Sequence, residues 1–336
     1  MMTNKKRALF IVNPISGTRG KKHIVDEIEN LVDTQKFDFK ILQTSFAGEA
    51  KGLSRMADEA GYDIVVAVGG DGTVNEVASG LVDSHAALGI IACGSGNGLA
   101  RHLKLPLVVS EAMQVINNCE IESLDYATVN GRPFFVTCGM GFDAYISSKF
   151  AEAGTRGVIT YVEQILKEWL RYKPETYLVE DENQSEQYKA FLITCANCSE
   201  YGNNAFIAPQ ASMNDGLLDI TIIEPFRAIE APALALQLFA KTLHSGGRVK
   251  MIRSDKITVR RQKPGIIHID GDPIEAENEL HFKVVKGGIN MIVNPNAHNE
   301  RTNIIKDMAA LASDLTERSQ QIIEAPANLL RGWRKK

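Results

Sequence analysis

The first third of the chain alternates between two hydrophobic patterns. Short apolar runs, typical of buried strands, occur at 8–12, 39–42, 63–68 and 88–93. Between them, apolar residues recur every three or four positions, as on one face of a helix. This alternation predicts a parallel sheet covered by helices, with ligands bound at the carboxyl ends of its strands.

The pattern changes near residue 125. Strand patterns follow at 126–129, 133–138, 177–180, 189–195, 217–223, 256–260, 266–269, 280–285 and 289–293. Asn130-Gly131 separates the first two and is typical of a hairpin turn. Helical patterns at 156–172 and 229–244 interrupt the strands, and another begins near 302. We therefore predict an antiparallel β domain with helical insertions, followed by a helical tail.

Composition narrows the class of protein. The net charge of −4 gives no global reason to expect a nucleic-acid partner. Five scattered cysteines do not form a disulfide framework and favour a reducing cytoplasm. The apolar run near the amino terminus is too short for a signal peptide, and we expect no transmembrane segment.

The strongest motif is GGDGTVNE at 69–76, between a buried strand pattern and a helical pattern. Its glycines let the backbone turn sharply, and the N–H groups at a helix start bind anions. Asp71 would repel a phosphate unless a divalent cation or a ligand hydroxyl lies beside it. The alternative is a plain turn in which Asp71 and Thr73 cap the helix. The residue types alone favour neither interpretation.

Two further loops follow strand patterns: NPISG at 13–17 and CGSGNGLAR at 93–101. The glycine spacing of the latter does not fit the dinucleotide fingerprint, and the chain has no Walker A sequence. Three loops rich in Gly, Ser and Asn after three strands would meet at one sheet edge. Together they predict a phosphate-binding crevice.

NPISG, GGDGTVNE and GSGNGLAR, in this order, resemble the diacylglycerol kinase catalytic family, which includes sphingosine kinases and bacterial soluble lipid kinases. IAPQASMNDGLLDI at 207–220 and HIDGDP at 268–273 extend the resemblance, while GGDGT is also shared with NAD kinases and phosphofructokinases. The resemblance implies a modified Rossmann-like α/β domain at 1–125 and a β-sandwich at 126–298, with ATP between them. It also implies a helical tail at 299–336 that packs back on the first domain.

Site residues carried over by position are implied by this resemblance. The nucleotide site would comprise Asn13, Pro14, Ser16, Gly17, Thr44, Gly69, Gly70, Asp71, Gly72, Thr73, Asn75 and Ser95. Asp272 stands at the position of the catalytic base, Asp270 would share that role, and Asp71 would organise metal and nucleotide. Ser212, Asp215 and Leu217 resemble a structural magnesium site. The alternative there is a β-turn at 214–216 that leads into a strand.

The chain departs from the bacterial diacylglycerol kinases in two places. Those enzymes usually read G-T-x-N-D in the third loop, whereas residues 94–98 read GSGNG, closer to the sphingosine kinase form. They also usually carry Glu where this chain has Asp272. These departures concern the lipid more than the reaction.

The implied reaction is transfer of the γ-phosphoryl group of ATP, with Mg²⁺, to a lipid hydroxyl. Diacylglycerol, a sphingoid base and other lipid alcohols stay open, as does a homodimer. The alternatives are a kinase of a soluble substrate such as NAD and a catalytically silent binding protein. A cytoplasmic protein would meet its lipid by peripheral association with the membrane. The basic and apolar segment 329–336 would either help it to dock or be a solvated terminus.

Overall fold

The computed structural model describes residues 5–15, 22–153, 168–169 and 171–297. Ser16, Gly17, most of the helix predicted at 156–172 and the tail at 299–336 lie outside the described residues.

The amino-terminal half is a parallel sheet with helices between its strands. Its elements are β1 (Lys6–Val12), α1 (Lys22–Leu31), β2 (Phe37–Gln43), α2 (Glu49–Glu59), β3 (Ile64–Gly69), α3 (Asp71–Gly80), β4 (Ala87–Ala92), α4 (Gly98–His102) and α5 (Val109–Asn118). The strands lie in the order β2-β1-β3-β4, all parallel. Every residue of β3 and β4 is buried, as continuous apolar runs in a covered parallel sheet require.

The carboxyl-terminal half is made mainly of antiparallel strands. Its elements are β5 (Ile121–Val129), β6 (Arg132–Phe134), β7 (Thr137–Gly141), α6 (Phe142–Ala153), β8 (Glu175–Glu180), β9 (Ser185–Ala190), β10 (Leu192–Ala196), β11 (Leu218–Ile223), a 3₁₀ turn (Ala228–Glu230), α7 (Ala231–Phe239), β12 (Val249–Ser254), β13 (Lys256–Arg261), β14 (Gly265–Ile269), β15 (Asp272–Ala276) and β16 (Glu279–Ile292). Six strands form one sheet in the order β12-β11-β10-β7-β14-β15.

The second layer of the sandwich belongs to the same sheet as the parallel strands. Strand β16 pairs with β4 in parallel at Met291 and Leu88, and pairs antiparallel with β5 and β13. The sheet then continues through β8 to β9. Phe134 and Phe282 from this layer and Met140 and Ile193 from the six-stranded sheet share one buried core. The predicted fold class, an α/β half followed by a β-sandwich, is confirmed.

Four predicted strands were wrong in extent. The runs at 133–138 and 189–195 each split, because the chain crosses from one sheet to the other at Phe135–Val136 and at Phe191. The runs at 280–285 and 289–293 instead form the single strand β16, whose register shifts at a bulge. Gly287 adopts a left-handed conformation there, with φ +58°. Helix α5 and strands β12 and β15 were not predicted. Among the described residues, no helix is long and apolar enough to span a membrane.

Candidate active site

The four parallel strands bring the predicted loops to one edge of the sheet. Asn13 follows β1, Thr44 follows β2, Gly70 follows β3 and Cys93 follows β4. Backbone hydrogen bonds continue the ladder beyond the strands. Asn13 donates to the carbonyl oxygen of Val68 at 3.0 Å, Thr44 to that of Val12 at 2.9 Å and Cys93 to that of Gly69 at 2.7 Å. The loops are therefore neighbours, as the alternating pattern predicted.

In chain order the first loop is 13–17, the second begins at Gly69 and the third is 93–98. The second and third loops approach so closely that Gly69 and Gly94 have no room for a side chain. A Cβ atom on Gly94 would lie 2.8 Å from Cα of Gly70, and one on Gly69 would lie 2.5 Å from Oγ1 of Thr73. Nδ2 of Asn13 donates to the same Thr73 hydroxyl at 3.0 Å, which joins the first loop to the second. The three loops thus form one packed unit.

Asp71 holds the third loop against the second. Its Oδ2 accepts the N–H of Asn97 at 2.9 Å and its Oδ1 accepts the N–H of Gly98 at 2.8 Å. Asn97, whose φ is +52°, also closes its own loop with two side-chain hydrogen bonds to the backbone of Gly94, both at 2.9 Å. Ser95 is left exposed at the tip. Asn97 was missed from the sequence, although an Asn between glycines is a known signal of left-handed backbone.

Asp270 is enclosed by donors from both halves of the chain. Its Oδ2 accepts Nδ2 of Asn75 at 2.7 Å and the N–H of Phe135 at 2.9 Å. Its Oδ1 accepts the N–H groups of Val136 at 2.8 Å and Thr137 at 3.0 Å. Burial raises the pKa of this carboxyl, and the four hydrogen bonds oppose that shift. This bonding fixes the crossing between β6 and β7 and joins it to α3.

Asp272 has the opposite environment, although it lies only two residues away. Its side chain is exposed at the start of β15 and makes no hydrogen bond among the described residues. The residue as a whole is exposed, but neighbouring protein shields the carboxyl partly from water, and this burial raises its pKa. The charges of Glu76 and Asp71 raise the pKa further, while His268 opposes the shift. An unengaged carboxyl with a raised pKa is suited to accepting a proton.

Glu76 was not predicted to have a role, but it organises the start of α2. Its Oε1 accepts the N–H of Gly48 at 2.8 Å and its Oε2 accepts that of Ala50 at 3.1 Å. These are orphan donors of a helix start, so the carboxylate satisfies them and opposes the helix dipole. It also places a negative charge near Asp272.

A buried polar network lies behind the Asp270–Asp272 turn. Nδ1 of His268 accepts the N–H of Gly271 at 3.4 Å, so Nε2 carries the proton that points to Oδ2 of Asp143, 3.2 Å away. The same oxygen accepts the hydroxyls of Thr194 at 2.8 Å and Tyr201 at 3.2 Å. The network therefore connects the Asp270–Asp272 turn to β10 and to the start of α6. This network was not predicted, because its members are far apart in the sequence and form no local motif.

The predicted metal site at Ser212, Asp215 and Leu217 contains an ion pair. Oδ2 of Asp215 accepts a hydrogen bond from the Arg253 guanidinium, and Oδ1 accepts the N–H of Leu217 at 3.0 Å. Arg253 also pairs with Asp219 at 3.2 Å. These residues do not fit a bound cation in this arrangement, because the guanidinium already neutralises the Asp215 carboxylate. Asp215 lies in the turn before β11 and Arg253 lies on β12, at the opposite edge of the six-stranded sheet from Asp272.

A nucleotide-borne magnesium ion fits the sheet edge better. Among the described residues, no group of three or more His, Cys, Asp or Glu side chains is arranged to bind a metal by itself. Mg²⁺ in phosphoryl-transfer sites is usually held by one or two carboxylates together with substrate phosphates. Asp71 keeps unused lone pairs beyond its two hydrogen bonds, so its carboxylate is the one that would hold such an ion together with the phosphates.

Two solved structures show which proteins share this fold. A diacylglycerol kinase from Bacillus anthracis has a TM-score of 0.69 at 21% identity, covering 87% of this chain and 98% of that chain. An NAD kinase from Archaeoglobus fulgidus in complex with ATP has a TM-score of 0.52 at 13% identity, covering 90% and 99%. At such identities the likeness shows the fold alone, and this fold is common to lipid kinases and NAD kinases.

The family follows from the sequence matches. The diacylglycerol kinase catalytic domain matches residues 7–129, and the YegS C-terminal NAD kinase beta sandwich-like domain matches residues 136–293. The chain therefore belongs to the diacylglycerol kinase catalytic family. A relative from Chromohalobacter salexigens named "Probable lipid kinase YegS-like" is 29% identical over 238 residues, 69% of this chain and 76% of its own length. The "Diacylglycerol kinase" of Bacillus subtilis is 25% identical over 277 residues, 80% of this chain and 90% of its own.

Proposed function

We propose that the protein is an ATP- and Mg²⁺-dependent lipid kinase, which transfers the γ-phosphoryl group to the hydroxyl of a membrane lipid such as diacylglycerol or a sphingoid base. It works as a cytoplasmic protein that associates peripherally with the membrane, and it has no nucleic-acid partner. The lipid substrate rests on the family and on the names of the relatives.

Each part of the site has a role in this reaction. The glycine loops and the amino end of α3 bind the phosphates through backbone N–H groups. Mg²⁺ neutralises charge that builds up on the phosphates. Asp71 holds the third loop in place for the nucleotide. Asp272 accepts the proton of the lipid hydroxyl while the hydroxyl oxygen attacks the γ-phosphorus. ADP leaves with the electrons of the broken P–O bond.

One observation carries the proposal, namely the unengaged carboxylate of Asp272, which interacts electrostatically with Asp71 and Glu76 of the GGDGTVNE segment. Four donors hold Asp270, so it positions the turn, whereas Asp272 has its lone pairs available. Proton acceptance is accordingly assigned to Asp272.

The test combines a substrate panel with a matched pair of variants. Radiolabelled ATP is offered with total lipid extract, diacylglycerol, sphinganine and NAD, and phosphorylated products are separated. We expect a lipid product. Asp272→Asn should lower kcat by about 100-fold or more with ATP affinity and melting temperature unchanged. Glu275→Gln, an exposed carboxylate on the same strand, is the control and should keep full activity.

The same experiment distinguishes the rivals. Labelled NADP instead of a lipid product would establish the soluble-substrate kinase. Nucleotide binding with no labelled product would establish the silent binding protein. Asp272→Asn with kcat within a few-fold of wild type would show that the base lies elsewhere.

A further inference from the structure

Helix α7 and the 3₁₀ turn before it present an apolar face to solvent. Ile229, Leu236 and Phe239 are 80%, 60% and 40% exposed, and Pro232 and Ala233 lie exposed between them. An exposed helix normally carries charged or polar residues on its outer face, but α7 contains no charged residue. Among the described residues, nothing covers this face, which we call the α7 face.

The inner side of α7 is firmly attached to the sandwich. Leu234 and Leu238 pack against a buried cluster on the outside of the six-stranded sheet. The carbonyl oxygen of Leu238 accepts the N–H of Phe206 at 2.9 Å. Nζ of Lys241 lies 4.9 Å from the centre of the Phe206 ring, in cation–π contact. The α7 face is therefore held outward by fixed contacts.

The border of the α7 face is basic. Residues 225–250 contain Arg227, Lys241, Arg248 and Lys250 against the single acidic residue Glu230, in a chain whose net charge is −4. All four basic side chains are exposed. Arg227 and Arg248 pair with Glu230 at 3.3 and 3.5 Å, and the four cations still outnumber this one carboxylate. Apolar groups bordered by cations match the interface of an anionic bilayer.

The same charges disfavour the other occupants. In a symmetric dimer the α7 face would meet its own copy, and the basic borders would repel each other. The chain's own end is a poor cover as well, because Arg331, Arg334, Lys335 and Lys336 follow the last acidic residue, Glu324.

An aromatic path connects α7 with the active-site network. Phe226, just before the 3₁₀ turn, packs edge-on against Phe191 at 5.0 Å between ring centres. Phe191 stacks on Phe142 at 4.5 Å, and Phe142 precedes Asp143, which contacts His268. Buried aromatic packing thus runs from the base of α7 toward the turn that carries Asp272.

From these observations we infer that the α7 face is the membrane-docking surface of the protein and seats it on anionic phospholipid. That the docked membrane also supplies the lipid to be phosphorylated rests on the proposed function.

Vesicle binding of the full chain tests the inference. The probes are phosphatidylglycerol–phosphatidylcholine vesicles and vesicles of phosphatidylcholine alone, separated from free protein by sedimentation. We expect binding to the anionic vesicles that weakens with salt. Leu236→Glu should reduce the partition coefficient about 10-fold or more, because it removes a side chain that inserts into the membrane. The matched control is Met56→Glu on α2, whose residue is 64% exposed, and it should bind as wild type does.

Each other outcome overturns the inference. Absence of wild-type vesicle binding contradicts it, and so does equal binding by Leu236→Glu and Met56→Glu. If a second copy or the chain's own end covers the α7 face, Leu236→Glu changes the sedimentation velocity or lowers the melting temperature but leaves vesicle binding intact.

A second readout separates this inference from the proposed function. Phosphorylation of detergent-dispersed diacylglycerol should be the same for Leu236→Glu and wild type. If wild type phosphorylates no lipid but still binds vesicles through the α7 face, the proposed function fails and the docking surface stands. If it phosphorylates dispersed lipid while binding is independent of the α7 face, the docking surface fails alone.

Discussion

Asp270 and Asp272 show how two identical side chains acquire different roles from their surroundings. The Asp270 carboxylate accepts four N–H donors, so its role is to hold the end of β14 against the start of β7. Asp272 lies at the start of the next strand without a hydrogen-bond donor among the described residues, and its pKa is raised first by burial and then by the charges of Glu76 and Asp71. Pairs of titratable groups whose environments differ in this way commonly divide acid–base work between them.

The pKa of Asp272 predicts a pH effect at this scale. Glu76→Gln removes a negative charge that raises that pKa, so the ionised form of Asp272 becomes more favourable and its pKa falls. A base must be ionised, so the acid limb of kcat/KM should move to lower pH. Gln keeps one acceptor oxygen for the start of α2. The measurement is the pH–rate profile.

A distant charge on α2, the helix whose start Glu76 contacts, provides the control for Glu76→Gln. Glu59→Gln removes an exposed carboxylate at the far end of α2 and should leave the profile in place. An acid limb that stays fixed or moves upward in Glu76→Gln would contradict the assignment of Asp272 as the titrating base.

At the scale of elements, the sequence predicted where the glycine loops lie better than it predicted the hydrogen bonds between them. The glycine loops were placed at one sheet edge because each follows a buried strand, and this local pattern survives in the structure. The hydrogen bonds that Asp71 accepts from the N–H groups of Asn97 and Gly98 join residues 26 and 27 positions apart, which hydrophobic periodicity cannot predict. The points at 135–136 and at 191 where the chain crosses from one sheet to the other were missed for a related reason. The sequence remains apolar through each crossing, so the pattern does not show where one strand ends and the next begins.

The clamp between the two glycine loops can be weakened with little change in shape. Asp71→Asn leaves one acceptor oxygen for two N–H groups, so either Asn97 or Gly98 loses a partner, at a cost of about 1–3 kcal/mol. We expect a raised KM for ATP together with a lower kcat, measured by initial rates, and faster amide exchange at Gly98. Asp38→Asn, an exposed position on β2, is the control. Wild-type kinetics in Asp71→Asn would show that the clamp is dispensable.

Strand β7 must carry glycine at 139 to make room for the buried network. A Cβ atom there would lie 2.1 Å from Oδ2 of Asp143 and 2.4 Å from Nε2 of His268. Gly139→Ala should therefore separate His268 from Asp143 and lower the free energy of unfolding by about 1–3 kcal/mol, measured by chemical denaturation.

An alanine at an open position on a helix is the comparison for Gly139→Ala. A Cβ atom on Gly52 of α2 would meet nothing within 4 Å, so Gly52→Ala should be neutral or slightly stabilising. Equal stability of the two variants would mean that the network tolerates rearrangement.

At the scale of the whole molecule, the two halves are less separate than the predicted division at residue 125 suggests. That division stays a prediction, but β16 continues the parallel sheet into the sandwich, so both halves share one set of backbone hydrogen bonds. The glycine loops and one layer of the sandwich are therefore built on a common sheet, whereas the Asp272 turn belongs to the six-stranded sheet that packs against that layer. The position of this turn relative to the loops depends on side chains that cross between the two halves.

The hydrogen bond from Asn75 to Asp270, at 2.7 Å, is such a crossing contact and predicts energetic coupling between the halves. Asn75→Ala and Asp270→Ala should each destabilise the protein, and the double variant should lose less than the sum, by about 1.5–3 kcal/mol, as for a hydrogen bond to a charged group. Chemical denaturation of the four proteins measures this coupling. Asp38→Ala, an exposed position on β2, in place of Asn75→Ala should give additive losses with Asp270→Ala. Additivity in the Asn75 cycle itself would show that the halves are held in register by β16 and the buried core alone.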